Sequence, residues 1–491
     1  MTEMSQEEIK RLILKLEENH PVNEWNLYGV DLWPHIRIQL YLFLLNLGVE
    51  SDKEVVLNNK TSSKEDWFKI KFRMISRFLS AIKKLHHFFK ELKPKQIIFF
   101  GGHFHRTLQN GVYFNRFFDP MIAHHSLHKD IYFIEYGKVF PNSFNENAII
   151  SLHHALNSYK LLVKTRNKLS LGKNKSQARL KGYQSFYKKI QKQFPEFESL
   201  KIDESSLKKW AFKINNTKGF FLKMYRKVNP EKLLFLSYYG YDDLAAAILA
   251  AHELNLKSID FQHGPQTNVH MAYSYWEKHP DRPYNTMPLE YWNWDINSKK
   301  NIELWANKTS LIKSKVVGHP YVTYCLNQKK DQKIDTEIFF SLQTLEIKEM
   351  LPEAIVKLIK NTNYKWVFRL HPRSNFSSVD LTDYLAENLV PNEYYVIEDA
   401  LSAPLPWSLA RARLHITNFS GCVIEAMMLG VPSIIIHKSG QEIFKSYFNN
   451  EKVIFLDPLD ENFENEIENI MDRKTKDNPE LTETQIIDPR I

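Results

Sequence analysis

The sequence HITNFSGCVIEAMMLGVPSIII, residues 415–436, changes its hydrophobic pattern three times within one short stretch. The pattern predicts a buried strand, a tight turn at residues 418–421, a helix that ends at Gly430, and a second buried strand. A strand, a helix and a second strand in this order form the repeating unit of a parallel sheet. The stretch therefore predicts an α/β fold for this end of the chain.

Short apolar runs alternate with helical patterns on both sides of this stretch, which predicts two parallel sheets. The predicted strands are 96–100, 131–135, 233–237 and 258–261 in the first half, and 337–341, 366–370, 394–397, 414–417, 433–436 and 453–455 in the second. We predict an N-terminal domain over residues 1–325, a C-terminal domain over 326–460, and a helix with a loose tail over 461–491. Ligands of open α/β sheets bind at the carboxyl ends of the strands, so we expect a site in the cleft between the domains.

The composition is that of a globular protein with more than one domain: 491 residues, of which 43% are hydrophobic and 25% charged. Cys325 and Cys422 are too few for a disulfide framework, and we expect reduced thiols. The N-terminus is acidic where an export signal would be basic, and the most apolar stretch, 36–49, is too short to span a bilayer. We expect a cytoplasmic protein, with peripheral contact at the inner membrane face left open.

The positive charge is concentrated in one segment. The formal net charge is +9, but residues 160–232 contain 20 Lys and Arg against 5 Asp and Glu. We predict a basic helical insertion at about residues 151–230 of the N-terminal domain. Nucleic acid, an anionic membrane or an acidic polymer would be attracted to it, and a merely solvated helix face is the alternative. Since no RNA- or DNA-binding motif is present, we expect no nucleic-acid partner.

The turn at residues 418–421 has the features of an anion site. Asn418, Ser420 and Gly421 precede the helix, so backbone N–H groups and the Ser420 hydroxyl would point out of its N-terminus. Glu425, one turn further, would reach the hydroxyls of a ribose. The alternative is that Ser420 only caps the helix.

A second candidate site follows the strand at 366–370. Pro372 would end that strand and leave His371, Arg373 and Ser374 at its carboxyl end, where a guanidinium and an imidazole can bind phosphate. A surface turn with a solvated arginine is the alternative. A similar His-Pro pair at residues 319–320 is predicted to be a hinge turn rather than a ligand.

In the first half, the sequence DFQHGP at residues 260–265 leaves an apolar strand and ends in a glycine turn. We therefore place His263 in the cleft, flanked by Gln262 and Gly264. His103 and His105 follow the strand at 96–100 through two glycines, which indicates the acceptor side of the cleft.

Asp242 and Asp243 begin an alanine-rich helix after the strand at 233–237. We expect one to cap the helix and the other to be a free carboxylate, acting as general base or nucleophile. The alternative is that both only stabilise the helix. The sequence contains no Walker loop, no G-x-G-x-x-G and no H-E-x-x-H motif, and its histidine pairs lack partners at metal-ligand spacing, so we predict no metal and no cofactor.

Two Rossmann-like halves, the QHG turn at 262–264, the HP turn at 371–372 and the SG turn at 420–421 together resemble glycosyltransferases of the GT-B architecture. Within these, the chain resembles bacterial capsule and lipopolysaccharide enzymes that use CMP-activated 2-keto acid sugars, in particular the retaining β-Kdo transferases. The resemblance covers roughly residues 230–440 and, more loosely, residues 32–34 and 116–120. It implies an α/β fold of GT-B type, with two Rossmann-like domains facing each other across a cleft and the basic insertion in the first.

In such enzymes the His-Pro turn and the serine turn hold CMP, which places His371, Ser420 and Gly421 on the phosphate and, by analogy, Glu425 on the ribose. The resemblance implies metal-independent transfer of Kdo from CMP-β-Kdo, with retention, onto a surface polysaccharide or lipid-linked glycan.

The resemblance also implies an aspartate nucleophile. Asp242 matches best, with Asp243 as the second choice, and His263 or Arg373 would bind the donor carboxylate. Alternatives are a CMP-sialate-dependent sialyltransferase, a CDP-polyol phosphotransferase and, outside enzymes, a nucleic-acid-binding or scaffold protein. Release of CMP from the respective donors discriminates among them.

Overall fold

The computed structural model describes residues 4–47, 67–169, 179–328, 334–371, 374–400, 403–472 and 485–491. Over these ranges the chain forms two α/β domains. The strands of the first are β1 (Asn26–Leu27), β2 (Val30–Asp31), β3 (Ile97–Gly102), β4 (Arg106–Gln109), β5 (Val112–Asn115), β6 (Ile131–Tyr136), β7 (Ile149–Ser151), β8 (Lys232–Leu236), β9 (Lys257–Phe261), β10 (Glu290–Asn293) and β11 (Lys313–Val316). Seven of them form a parallel sheet in the order β11-β10-β9-β8-β3-β6-β7.

The helices of the first domain include the predicted insertion. They are α1 (Gln6–Asn19), α2 (Trp33–Leu45), α3 (Trp67–Glu91), α4 (Asp119–His124), α5 (His153–Leu169), α6 (Tyr183–Gln193), α7 (Glu204–Val228), α8 (Asp242–Glu253), α9 (Ile296–Ala306) and α10 (Pro320–Gln328). Helices α5, α6 and α7 lie between β7 and β8 in the chain, as predicted. The predicted domain boundary at residue 325 falls inside α10.

Both faces of the first sheet are buried. In β3, Ile98 and Phe100 face one hydrophobic core, while Ile97 and Phe99 face another. Neighbouring side chains of a strand point to opposite faces, so a continuous apolar run is what a sheet covered by helices on both sides requires.

The second domain repeats this construction. It contains β12 (Ile334–Ser341), β13 (Lys365–Arg369), β14 (Tyr395–Glu398), β15 (Ala412–Thr417), β16 (Ser433–Ile435) and β17 (Val453–Phe455), with α11 (Ile347–Met350), α12 (Glu353–Asn361), α13 (Ser378–Glu387), α14 (Leu405–Arg411), α15 (Cys422–Met428), α16 (Lys438–Ile443) and α17 (Phe463–Asp472). Its parallel sheet has the order β14-β13-β12-β15-β16-β17. The two Rossmann-like domains confirm the predicted α/β fold of GT-B type.

The end of the chain packs against both domains. The predicted C-terminal helix is present as α17, which buries Ile467 in the core of the second domain. Residues 485–491 return to the first domain, where Ile486 is buried and the ammonium group of Lys232 donates to the carbonyl of Pro489 at 3.1 Å. The prediction of a loose tail is therefore wrong for residues 485–491, and residues 473–484 lie outside the described ranges.

Candidate functional site

Each sheet reverses its direction of growth at one point, and several of the candidate residues follow the strands on either side of it. In the first domain the reversal lies between β3 and β8, which lead to His103 and Asp242. In the second it lies between β12 and β15, and β15 leads to the turn at 418–421. Ligands of open α/β sheets bind in the crevice at such a switch point. The topology therefore gives the candidate residues the position that ligand binding requires.

The turn after β15 is held mainly by its own hydrogen bonds. The backbone N–H of Ser420 donates to the Thr417 hydroxyl at 3.1 Å, and the N–H of Cys422 donates to Oγ of Ser420 at 3.3 Å. The expectation that these N–H groups point outward is thus corrected; Ser420 accepts an N–H at the start of α15, but Gly421 and not Ser420 occupies its N-cap position. Oδ1 of Asn418 is buried and has no hydrogen-bond partner among the described residues. The turn therefore offers this oxygen as a hydrogen-bond acceptor to a ligand.

The turn after β9 lies opposite. Gln262 is fully buried and fixes this turn, because its amide donates to the carbonyl of Gly264 and to the Ser298 hydroxyl, both at 3.0 Å. A β-carbon placed on Gly421 of the second domain would lie 3.1 Å from Cδ of Pro265. The two predicted turns therefore meet across the cleft. Gln262 has a structural role there, because its side chain is buried and holds the turn in place.

The predicted histidines of the first domain gather beside this contact. The ring centroids of His105 and His263 are 5.8 Å apart. Burial lowers the pKa of His263 to about 3 and that of His105 well below its usual value, so both imidazoles are neutral at pH 7. Nδ1 of His103 contacts the carbonyl of Tyr136 at 3.4 Å. Nδ1 of His263 is buried without a hydrogen-bond partner among the described residues, so it can bind a ligand group.

Glu425 meets a residue that we predicted to be only part of a hinge turn. Its Oε1 lies 3.5 Å from Nε2 of His319, and both side chains are buried. Burial raises the pKa of Glu425 to about 7, although the Arg116 and Arg369 guanidinium groups act in the opposite direction. Burial lowers the pKa of His319 to about 3. A half-protonated carboxyl group and a neutral imidazole therefore face each other at neutral pH.

Arg116 supplies a fixed positive charge to this cluster. The positive charge of Arg116 adds to the larger effect of burial in lowering the pKa values of His263 and His319. For Glu425 it opposes burial, which raises the pKa. Its Nε is buried and unpartnered among the described residues, and its guanidinium carbon lies 5.4 Å from the centre of the Phe117 ring. A guanidinium whose charge acts on neutral imidazoles and on a half-protonated carboxyl group is suited to bind phosphate or carboxylate.

Asp242 and Asp243 both bind lysines of the basic insertion. Asp242 accepts from the ammonium group of Lys213 at 2.7 Å and from the indole of Trp210 at 2.8 Å. Asp243 accepts from Lys160 at 2.8 and 2.9 Å. Tyr241 occupies the N-cap position of α8, without a side-chain hydrogen bond. The expectation of one capping and one free aspartate is therefore wrong, because the insertion reaches over the start of α8 and binds both.

Asp242 also lines a small pocket whose wall includes several aromatic residues, among them Trp210, Tyr239 and Tyr241. The ring of Tyr239 lies 6.4 Å from that of His263, which connects the pocket to the cleft. Burial raises the pKa of Asp242, but the hydrogen bonds from Lys213 and Trp210 outweigh it, and the pKa lies below its usual value. The carboxyl group is therefore ionised at neutral pH, as a nucleophile must be.

The His-Pro turn after β13 is described in part. The carbonyl of His371 accepts from the N–H of Ser374 at 2.9 Å, so these two residues form one turn. Pro372 and Arg373 lie outside the described residues. Arg369, at the end of β13, donates to Glu398 at 3.1 Å and to two backbone carbonyls, and so secures the loop after β14.

Sequence reasoning did not assign His319 to the site, and it included Arg116 only as part of the stretch 116–120 that the resemblance covers loosely, without a role. A usable signal existed for His319, because it follows β11 as His263 follows β9, at the same edge of the sheet. Arg116 follows the β4–β5 hairpin, and no local pattern indicates that this hairpin extends over the cleft. The lysines that bind Asp242 and Asp243 belong to helices far away in the sequence, so no local pattern could identify them as partners of these aspartates.

The described ranges contain neither a helix long and apolar enough to cross a membrane nor a group of three or more His, Cys, Asp or Glu side chains arranged to bind a metal ion.

Comparison with known proteins gives distant structural likenesses. No family model and no curated protein matches the chain. The UDP-GlcNAc 2-epimerase from Methanocaldococcus jannaschii is 14% identical over 77% of this chain and 93% of its own, with a TM-score of 0.43. The corresponding values for the UDP-GlcNAc 2-epimerase from Neisseria meningitidis are 12%, 80%, 95% and 0.43, and for MurG from Acinetobacter baumannii 11%, 77%, 90% and 0.37. Likenesses this distant carry no argument about activity, and the fold assignment rests on the two sheets.

Proposed function

We propose that the protein is a nucleotide-sugar-dependent glycosyltransferase that binds CMP between the turn at 418–421 and the His371 turn. The observation that carries the proposal is the contact of the two strand-end turns at the cleft, where the charge of Arg116 acts on Glu425, His263 and His319. This cluster offers a fixed cation and neutral hydrogen-bonding groups to an anion, and both sheets present it at their carboxyl ends.

The leaving group requires charge stabilisation when the bond between the sugar and the phosphate breaks. Arg116 and the neutral imidazole of His263 would donate hydrogen bonds to the phosphate oxygens, and the site is sufficiently buried to strengthen such contacts. Glu425, which is half protonated near pH 7, is placed to accept from or donate to a ribose hydroxyl. No step in this scheme calls for a metal ion.

The first chemical step would be an attack of the Asp242 carboxylate on the anomeric carbon of the donor. A carbon–oxygen bond forms to the aspartate while the bond to the phosphate of CMP breaks and CMP leaves with its electron pair. An acceptor hydroxyl then attacks the same carbon, transfers its proton to a base and expels the carboxylate. Two inversions give overall retention.

The donor is proposed to be CMP-β-Kdo, and the acceptor a surface polysaccharide or lipid-linked glycan. The resemblance in the turns supports this choice, and Arg373, which follows His371 in the sequence, is the proposed partner of the 2-keto acid carboxylate. The aromatic pocket beside Asp242 would receive the acceptor sugar, because aromatic faces pack against the apolar faces of sugar rings.

The test is to incubate the full chain separately with CMP-Kdo, CMP-sialate and CDP-glycerol and to measure CMP release. Release from CMP-Kdo, dependent on Asp242, supports the proposal. Release of CMP from CMP-sialate would show that the donor sugar is sialate and not Kdo. Release of CMP from CDP-glycerol would show that the reaction is a polyol phosphate transfer. If none of the three donors is turned over and CMP does not bind, the proposed function is wrong.

A further inference from the structure

The helical insertion contains a groove that the proposed chemistry does not use. Between α5 and α7 lies a space of about 460 Å³, which we call the α5–α7 groove. Its wall includes Tyr159, Val163 and Phe212, and it opens to the surface. This volume lies within the range of sites that bind small ligands. The apolar wall is suited to a hydrocarbon chain.

Lysines line the rim of this groove. Lys160 and Lys164 lie on α5, and Lys213 lies on α7. The surrounding segment, residues 160–232, carries 20 Lys and Arg against 5 Asp and Glu. Lys164 is exposed, and apolar stems of such lysines cover hydrocarbon while their ammonium groups bind an anion. Charge complementarity therefore favours a ligand that is apolar at one end and anionic at the other.

The groove shares its rim with the candidate catalytic aspartates. Lys213 binds Asp242, and Lys160 binds Asp243. Trp210, one turn before Lys213 on α7, lines the pocket that also contains Asp242. An anionic headgroup bound by these lysines would consequently lie next to that pocket, and a sugar attached to the headgroup could enter it.

We propose that the α5–α7 groove binds the alkyl chain of a single-chain lipid whose phosphate is held at the rim by Lys164, next to Lys160 and Lys213, which already bind Asp243 and Asp242, so that the lipid end of the acceptor is seated here. The statement that the bound lipid belongs to the acceptor rests on the proposed function. The binding of such a lipid to the groove can be tested independently of that function. The apolar wall gives no affinity to phosphate that lacks a chain, and the lysines discriminate against a chain that lacks the charge.

Calorimetric titration with dodecyl phosphate, kept below its micellar concentration, tests the inference on the full chain. Octyl phosphate, inorganic phosphate and dodecyl maltoside serve as comparison ligands. We expect the affinity to increase with chain length, by up to about fourfold for each buried methylene, and inorganic phosphate not to bind measurably. Equal affinity for dodecyl phosphate and dodecyl maltoside would overturn the role of the lysines.

Three variants locate the site. Val163→Trp fills the groove and should weaken dodecyl phosphate binding at least tenfold, and Lys164→Ala should weaken it about fivefold. Lys209→Ala is the matched control, because Lys209 is an exposed lysine of α7 that does not line the groove, and it should leave the affinity unchanged. The melting temperature of each variant is also measured, since an unchanged melting temperature shows that the fold is intact whether or not the protein binds CMP.

The outcomes separate the two proposals. Unchanged dodecyl phosphate affinity in Val163→Trp, with the melting temperature retained, overturns the groove and leaves the proposed transferase function unaffected. Binding only to anionic phospholipid vesicles and not to monomeric dodecyl phosphate also overturns it, in favour of a surface contact with the membrane. Tight binding that Val163→Trp abolishes, in a protein without transferase activity, supports the groove and contradicts the proposed function.

Discussion

Oε1 of Glu425, in the second domain, lies 3.5 Å from Nε2 of His319, in the segment that connects the two sheets. The ring of Trp294 packs on His319 with its centroid 4.1 Å away, which fixes the imidazole from the first domain. A change in protonation at this contact therefore acts on the surface where the domains meet. The cleft geometry and the ionisation of Glu425 are expected to depend on each other.

The first prediction concerns pH. Because burial raises the pKa of Glu425 from 4.5 to about 7, the folded state binds this proton more tightly than the unfolded state. The stabilisation is complete below pH 4.5 and is lost as the pH rises through about 7. Relative to Glu425→Gln, we expect the free energy of unfolding of the wild type to fall by about 2–3 kcal/mol between pH 4.5 and about 8. Urea unfolding at both ends of this range measures it, and parallel pH profiles would contradict it.

A second prediction tests the contact of the two turns. Gly421 has a φ of −56°, which any residue can adopt, so the cost of a side chain there comes from the contact with Pro265. We expect Gly421→Val to destabilise the protein by about 1–3 kcal/mol and to weaken CMP binding. Gly264→Ala is the control, since a β-carbon at that position meets open space. Equal melting temperatures for the two variants would show that the turns are not in contact.

Arg116 should contribute to anion binding. A hydrogen bond to a charged group is worth about 1.5–3 kcal/mol, so we expect Arg116→Ala to weaken CMP binding tenfold to a hundredfold in calorimetric titration. Arg116→Lys keeps the charge but not the planar fork, and it should recover part of the affinity. Wild-type CMP affinity in a folded Arg116→Ala protein would remove this residue from the site.

A fourth prediction separates the two aspartates. If Asp242 is the nucleophile, Asp242→Ala should lower transfer from CMP-Kdo by about a thousandfold or more, whereas Asp243→Ala should have a smaller effect. Loss of the hydrogen bond from the Trp210 indole should also change the tryptophan fluorescence of Asp242→Ala. Wild-type transfer in both variants would show that neither residue is the nucleophile.

The central strands could be predicted from the sequence because helices cover both of their faces, which produces continuous apolar runs. The strands that we missed include both edges of the first sheet, β7 and β11. Edge strands are short and carry polar side chains, as the two lysines of β11 (Lys313–Val316) illustrate. The third strand of this sheet that we missed, β10 (Glu290–Asn293), has only four residues and no aliphatic side chain; the two-stranded pairs β1–β2 and β4–β5 were not predicted either.

The positions of the candidate residues followed from local patterns, because the carboxyl end of a strand can be read from the residues that end it. Their partners could not be read in this way. Lys213 meets Asp242 only because α7 packs along α8, and His319 meets Glu425 only because the two domains are in contact. Such contacts join residues far apart in sequence, and a single sequence carries no periodicity that reports them.

A structure of the protein crystallised with CMP tests the central claim most directly. The account predicts that the nucleotide lies in the cleft between the turn at 418–421 and His371, with its phosphate in contact with Arg116 and its ribose near Glu425. Nucleotide bound elsewhere on the molecule, or an empty cleft at saturating CMP, would contradict the claim.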